Sequence, residues 1–419
     1  MPDKMQILYY RKGILMKKIL LHTPEGVRDL YNDECEKKLY LQQRIHQVLK
    51  KYGYRDIQTP SFEFFDIFSK EKGTVPSNQM YKFFDRDGET LVLRPDMTPA
   101  MARCVSKYYM EEDMPIRLCY TGQTFINSAE HQGKLKECTQ TGGELYGENK
   151  PESDGEILAV VIESLFDCGL KEFQIEVGHA WFINGLFEEA GINEEQEEDL
   201  RNLIANKNFF GMEEYLSELS IPDPVKDVFL SLPSLTGSGQ MLQQAGKLLK
   251  NEKIAGAISR LEKIYHVLSC YGCEKYVTFS LSAMAHRNYY TGMIFAGYTY
   301  GTGDAIVTGG RYDNLVKQFG KETPSVGFAI NLDRLLTAVL RQKIELPSTS
   351  DLMLMVYDKA LLKEALKQAK IYRDQGQLVT LMRKNEDLSL DDYKDYAIRN
   401  NFREMSYLGE ESIREVALS

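Results

Sequence analysis

No stretch of the 419 residues has the length of a membrane-crossing helix: the longest uninterrupted aliphatic run is Ile157 to Ile162, against the roughly 20 apolar residues that span a bilayer. Positive charge is in deficit. There are 51 Lys and Arg against 61 Asp and Glu, a formal net charge of -10, which argues against a surface built throughout for phosphate backbones and leaves room only for a local basic groove. Cysteine is sparse and odd in number, seven residues with no tight framework spacing. That usage fits reduced thiols and a cytoplasmic location better than a disulfide scaffold. Cys270 and Cys273 have the spacing of a metal or redox pair, but no second such pair follows and only six His are present, so no metal site and no cofactor is expected. An apolar stretch of secretory length is missing from the N-terminus, which instead carries Lys4, Arg11, Lys12, Lys17 and Lys18. Residues 1–21 read as an N-terminal extension, with Met16 as a candidate biological start and 1–15 as an unstructured leader.

What is present is an ordinary globular mixture, 43% hydrophobic and 11% aromatic, which excludes disordered and collagen-like chains. The length suggests two or three domains at about 150 residues each. Leu39, Leu41, Ile45, Val48 and Leu49 recur at helical spacing ahead of Gly53, predicting an amphipathic helix with a glycine cap. A strand is predicted after it and ends or breaks at Pro60, and residues 82–95 read as a hairpin around Asp87-Gly88. Residues 155–168 predict a helix stopped by Gly169, and Phe173, Ile175 and Val177 alternate as in a half-buried strand. From about 183 to 265 the pattern is helical, and residues 181–220 hold ten acidic residues against Arg201 and Lys207. Such an insert is poorly suited to gripping nucleic acid. Strands are predicted at 275–284, 293–300, 305–310 and 325–332, then a helix over 333–342. After a Pro/Ser linker at 343–350, residues 351–419 alternate strand and helix, as in a small α/β module with parallel pairing.

Several stretches carry a family resemblance over roughly residues 22–340. "TPEGVRDL" (23–30), Pro60, "LRPDMTPAMAR" (93–103), "RLCYTGQTF" (117–125), "QTGGELYG" (140–147), "NYYTGMIFAGY" (288–298), "GGRYDNL" (309–315) and "SVGFAINLDRLL" (325–336) follow one another in order. They resemble the catalytic domain of class II aminoacyl-tRNA synthetases of the histidyl type. The resemblance implies an α+β fold, an antiparallel sheet flanked by helices, with the helical insert and a C-terminal module similar to a shortened anticodon-binding domain. It also implies a histidine pocket in which Asp96, Thr98, Gln140 and Glu144 surround the ammonium and backbone end while Tyr289, Tyr290 and Tyr312 line the ring. Histidine needs a carboxylate for its ammonium group and partners for both imidazole nitrogens, and these residue types supply them. Each also has a plainer reading: tyrosines on strands pack, and Thr98 beside Pro99 can form a turn. Asp96 stands where the family usually has Glu.

The departures bear on chemistry. Activating histidine requires its carboxylate to attack the α-phosphate of ATP, and fixed guanidinium groups must meet the charge that develops there. The family's arginine after the Phe of the second motif is here Ile126, its acidic neighbour two positions on is Ser128, and its arginine four residues before the Tyr-Tyr pair is Ala285. His286 and Arg287 lie near but out of step with the strand alternation. Loss of one such stabiliser typically costs about 2.7 to 4 kcal/mol, roughly 100- to 1000-fold in rate. Two guanidinium groups are missing, so synthetase activity is expected to be lost and no catalytic residue is assigned. Arg103, Arg117, Arg311 and Arg334 survive, as ligand contacts or as partners of structural carboxylates.

A synthetase-like chain with a weakened ATP site and a retained histidine site resembles the regulatory subunits of ATP phosphoribosyltransferase, paralogues of histidyl-tRNA synthetase. That family works with a short-form catalytic subunit, which joins ATP to phosphoribosyl pyrophosphate in the first step of histidine biosynthesis. The resemblance implies a homodimer core within a hetero-oligomer, histidine as effector and no productive tRNA binding. Histidine would sit in the synthetase-like pocket or at a subunit boundary. The alternatives are an active histidine–tRNA ligase and a free-standing histidine sensor.

Overall fold

The computed structural model describes residues 21–69, 75–127, 134–246, 248, 251–284, 289–346, 352–409 and 413–418. Ser128, Ala285, His286, Arg287, the leader at 1–15 and residues 347–350 of the 343–350 linker lie outside them. The chain forms two compact units, Met1–Ile344 and Glu345–Ser419.

The first unit begins with α1 (Asn32–Lys51), which buries Leu41, Ile45, Val48 and Leu49 along one stripe. Its chain reverses at Gly53, whose φ of +80 a side chain would resist. Then come β1 (Arg55–Asp56), β2 (Phe62–Phe64), α2 (Asp66–Ser69), β3 (Lys82–Phe84), β4 (Thr90–Leu93), α3 (Thr98–Tyr108), β5 (Ile116–Phe125), β6 (Glu137–Tyr146), α4 (Pro151–Asp167) and β7 (Phe173–His179). Pro60 separates β1 from β2, and the two strands enter different sheets. The β3–β4 hairpin turns at Gly88, φ +86, with the Asp85 carboxylate accepting from the N–H groups of Asp87 and Glu89 at 2.9 Å each.

The insert comprises α5 (Ala180–Ala190), α6 (Glu194–Ala205), α7 (Phe209–Glu218), α8 (Asp223–Ser231), β8 (Thr236–Gly237), α9 (Gly239–Ala245) and α10 (Glu252–Tyr271). Its helices therefore begin before residue 183 and run past 265. The unit closes with β9 (Val277–Ser280), β10 (Met293–Thr299), β11 (Val307–Arg311), β12 (Ser325–Asn331) and α11 (Leu332–Arg341). Among the described residues, no helix is long and apolar enough to cross a membrane.

Nine strands form the main sheet in the order β1-β5-β6-β12-β11-β10-β7-β9-β8. Pairing is antiparallel except at β1·β5 and β7·β9, and β2-β4-β3 make a small separate sheet. The strand predicted over 275–284 is shorter. Beyond Ser280 the chain turns, and Ala283 Cβ lies 2.6 Å from where a Gly178 side chain would begin. The alternating small polar residues of 280–284 imitate a strand while the chain crosses the sheet.

Behind the sheet, α4 buries its aliphatic run Ile157–Ile162 and packs on α10, with Gly155 leaving room for Val267. Asp154 on α4 is fully buried between two arginines. Arg311 donates to one carboxylate oxygen at 2.6 and 2.9 Å, and Arg260 to the other at 2.6 Å. Burial, and then these two cations, push His179 down to about 3. The neutral ring suits its work, since Nδ1 accepts from the Trp181 N–H at the start of α5.

In the second unit β13 (Leu352–Tyr357), α12 (Leu362–Asp374), β14 (Leu378–Arg383), α13 (Leu390–Arg399), β15 (Glu404–Leu408) and β16 (Ile413–Val416) alternate. The strand order is β14-β13-β15-β16, parallel except for β16. One face of β13 packs on Tyr393, Ala397 and Phe402, and the other on Ala369 and Val379. The antiparallel edge strand β16 is an addition to the expected pattern.

Removing one member of a buried ion network strands the others without compensation. Asp154→Ala is expected to lower unfolding stability by about 3 to 5 kcal/mol, read as the urea midpoint at unchanged slope.

Candidate functional site

Glu144 sits on β6 in the middle of the sheet, fully buried. Its neighbours across β12 are glycines for a steric reason: a Cβ on Gly327 would lie 1.6 Å from Glu144 Oε2. Room for the carboxyl group is made by glycine, and its hydrogen bonds come from two other elements. Thr98, at the start of α3, donates from Oγ1 to Oε1 at 3.1 Å. Tyr312, just beyond β11, donates its hydroxyl to Oε2 at 2.5 Å. The Tyr312 oxygen also lies 3.4 Å from Tyr146 OH.

Asp96 continues the chain of contacts. Its Oδ1 accepts from the Thr98 N–H at 3.2 Å, and its Oδ2 accepts from Tyr289 OH at 3.1 Å. Tyr289 stacks at a tilt on Tyr290, centroids 4.8 Å apart, and meets Tyr312 edge-on at 5.7 Å. Gly310 leaves space for the Tyr290 ring, which would lie 2.8 Å from a Cβ there. Of the seven expected residues, Asp96, Thr98, Glu144, Tyr289 and Tyr312 thus form one hydrogen-bonded chain, and Tyr290 joins by ring contact. Gln140 lies on the same face of β6, four residues from Glu144. Its side-chain oxygen is buried without a hydrogen-bond partner among the described residues, so it holds an acceptor ready for a donor.

Burial is the main influence on Glu144 and pushes its carboxyl up to about 8. The bonds from Tyr312 and Thr98 pull the other way, and the nearby Asp96 charge adds to the rise. At neutral pH the unliganded group is therefore mostly protonated. A cationic ligand placed against it would restore the charged form.

The surviving arginines are occupied. Arg103 pairs with Glu63 at 2.6 Å, and Arg117 grips Glu156 with two bonds of 2.7 Å. Arg311 holds Asp154, and Arg334 donates to the Ala305 carbonyl at 2.8 Å with Asp304 at 3.2 Å. All four are partners of structural carboxylates. Ile126 follows the end of β5, its N–H on the Lys136 carbonyl. The Cys270 and Cys273 thiols are both free, and Cys273 points to the Leu268 carbonyl. Among the described residues one mixed group, His46, Asp56 and Cys119, brings its ligand atoms within 4.8 Å of one another. Lys50 already holds the second Asp56 oxygen at 3.0 Å.

Sequence reasoning missed three residues around the pocket. Tyr120 is buried opposite Gly142, where a Cβ would meet its hydroxyl at 2.6 Å. Tyr146 follows Glu144 by two, so it shares its face. Arg94 threads its guanidinium into a cage of carbonyls, from Nε to Gln123 at 2.7 Å and from Nη1 to Thr59 and Pro60 at 2.8 and 3.0 Å. Gly122 is what admits it. The tyrosines were visible as alternate positions on neighbouring strands.

A mainly antiparallel sheet with the pocket on one face and helices behind is the class II aminoacyl-tRNA synthetase fold. Residues 26–335 match the family model described as histidyl-tRNA synthetase. A crystal structure described as an ATP phosphoribosyltransferase regulatory subunit/histidyl-tRNA synthetase from Bacillus halodurans C superimposes with a TM-score of 0.84 at 29% identity, covering 94% of this chain and 99% of that one. Histidyl-tRNA synthetase from Nostoc sp. PCC 7120 shares the fold, with a TM-score of 0.79 at 21% identity over 94% and 96% of the two chains. Two proteins named ATP phosphoribosyltransferase regulatory subunit are more alike in sequence. That of Acetivibrio thermocellus is 40% identical over 356 residues, 85% of each chain. That of Clostridium kluyveri is 34% identical over 374 residues, 89% of this chain and 96% of the other. The chain belongs to the family of ATP phosphoribosyltransferase regulatory subunits, within the histidyl-tRNA synthetase-like class.

A carboxyl group raised by folding binds its proton more tightly folded than unfolded, so its contribution is favourable below the unfolded value and is lost as pH rises toward the folded one. Stability of the free protein is expected to fall between about pH 4.5 and 8 on this account. Glu144→Gln should remove that part of the dependence and stabilise the free protein at pH 8.5 by up to about 5 kcal/mol, measured by denaturant melts across the pH range.

Proposed function

We propose that this protein is a non-catalytic regulatory subunit of ATP phosphoribosyltransferase, needed for the first step of histidine biosynthesis. Membership of that family, at 34 to 40% identity to the relatives named above, is the observation that carries the reading. The site geometry supports it from a second direction. A pocket with a buried carboxyl, an unused Gln140 oxygen and three tyrosines suits a small amino acid. The position after Phe125 offers Ile126 to a nucleotide, and the four arginines tested above are held by their own carboxylates and carbonyls.

In this reading the chain works in the cytoplasm with a short-form catalytic subunit of glycosyltransferase type and transmits feedback by histidine. It does so as a homodimer core inside a hetero-oligomer, without productive tRNA binding. Histidine would place its ammonium group between Glu144, Asp96 and Gln140 and its ring among Tyr289, Tyr290 and Tyr312. Feedback then requires only that the occupied pocket favour one state of the complex.

The test is reconstitution. Adding the chain to the short catalytic subunit should raise formation of the phosphoribosyl-ATP product, and the purified chain alone should give background histidine-dependent ATP–pyrophosphate exchange. Vigorous exchange would make it a histidine–tRNA ligase instead. Because the ligand ammonium must displace a proton from Glu144, histidine affinity is expected to climb by up to about tenfold per pH unit below 8, with proton release seen by calorimetry in buffers of different ionisation enthalpy. Glu144→Ala should abolish histidine binding to the isolated chain.

A further inference from the structure

A second cavity lies on the same face of the sheet as Glu144. The register runs from Glu144 to Gly327, Gly310, Ile294 and Gly178 through successive paired strands, and paired residues share a face. Alternation along β7 then puts Glu176 and Gln174 on that face too. Here the sheet and the helical insert border an open cleft of about 360 Å³, lined by Gln174, Glu176, Thr278, Ser280 and Tyr298 from the sheet side and by Lys207 and Phe209 from the insert. That volume falls within the usual range of small-molecule sites.

Glu176 is the feature that asks for a ligand. Its side chain is 20% exposed, and among the described residues its carboxylate pairs with the Lys207 ammonium at 3.8 Å, beyond hydrogen-bonding distance. A carboxylate held this loosely at the wall of a cleft keeps acceptor capacity that a ligand can take up from water. Lys207 is 69% exposed. It also occupies a left-handed backbone position, φ +54 between α6 and α7, where glycine is the unstrained choice. Along the floor, Thr236, Ser280 and Ser282 share hydroxyl contacts of 3.4 and 3.2 Å, and such rotors can turn to serve either sign of charge.

We propose that this cavity binds a small zwitterion of the α-amino-acid class, with its ammonium on Glu176 and its carboxylate on Lys207. The ammonium brings donors to the Glu176 carboxylate, and the rings of Tyr298 and Phe209 in the lining suit a cation or an apolar side chain. One opposed pair of charges matches a zwitterion and disfavours phosphates, which would meet Glu176. Since Glu176 belongs to β7 and Lys207 to the insert, an occupant ties the two together. The proposal stands apart from the regulatory reading and from the Glu144 pocket.

Calorimetric titration of the full-length Glu144→Ala chain with the twenty protein amino acids tests it, followed by the amide and the desamino acid of any that bind. At least one amino acid should bind, and Glu176→Gln or Lys207→Met should weaken it tenfold or more. The amide, lacking the carboxylate, and the desamino acid, lacking the ammonium, should each bind at least tenfold more weakly. Lys207→Gly removes the ammonium while relaxing the backbone, so it should melt higher and still lose the ligand, which separates binding from folding damage. If no amino acid binds the Glu144→Ala chain, if the amide binds as well as the acid, or if Glu176 and Lys207 variants bind normally, the proposal is wrong.

Discussion

A carboxyl group shut away from water in the middle of a sheet must be met by fixed donors or carry a proton, and Glu144 does both. Glycine at position 327 makes its space, Thr98 and Tyr312 supply its hydrogen bonds, and burial keeps its proton bound near neutral pH. Those demands link β6, β11, β12 and the start of α3 into one arrangement. An apolar residue at 144 would relax the constraint but leave Thr98 and Tyr312 without their partner. A cation placed against Glu144 would add to the hydrogen bonds of Thr98 and Tyr312 in favouring its charged form.

The guanidinium groups follow the opposite logic. A group meant for a transition-state phosphate must wait with donors free and geometry fixed. Arg117 and Arg311 are fixed, but their donors are spent on Glu156 and Asp154, where they hold α4 against the sheet. Arg103 and Arg334 are likewise paired, with Glu63 and Asp304.

Much of this was legible in the sequence, for physical reasons that differ by element. Helix α1 showed itself through its apolar stripe and Gly53, the hairpin through Asp87-Gly88, and most sheet strands through period-two alternation. Asp96, Thr98, Glu144, Tyr289 and Tyr312 came from motif order, which places distant segments together without any geometry. Periodicity failed where Ser280 and Ser282 alternate with apolar residues as the chain leaves β9, and it did not reveal the short edge strand β16. The role of Arg94 was hidden because its partners are carbonyls, which any residue supplies. The loose Glu176–Lys207 pair depends on how the insert meets the sheet, a relation that local pattern does not encode.

The central claim is that Glu144 holds a proton in the free protein and releases it to solvent when histidine binds. Carboxyl carbon-13 NMR on glutamate-labelled protein, with the Glu144 resonance assigned through Glu144→Gln, measures this directly. The account predicts titration near pH 8 in the free protein and a charged carboxylate at pH 7 once histidine is saturating. Titration in the ordinary range near 4.5, or a Glu144 signal that histidine leaves unmoved, would contradict it.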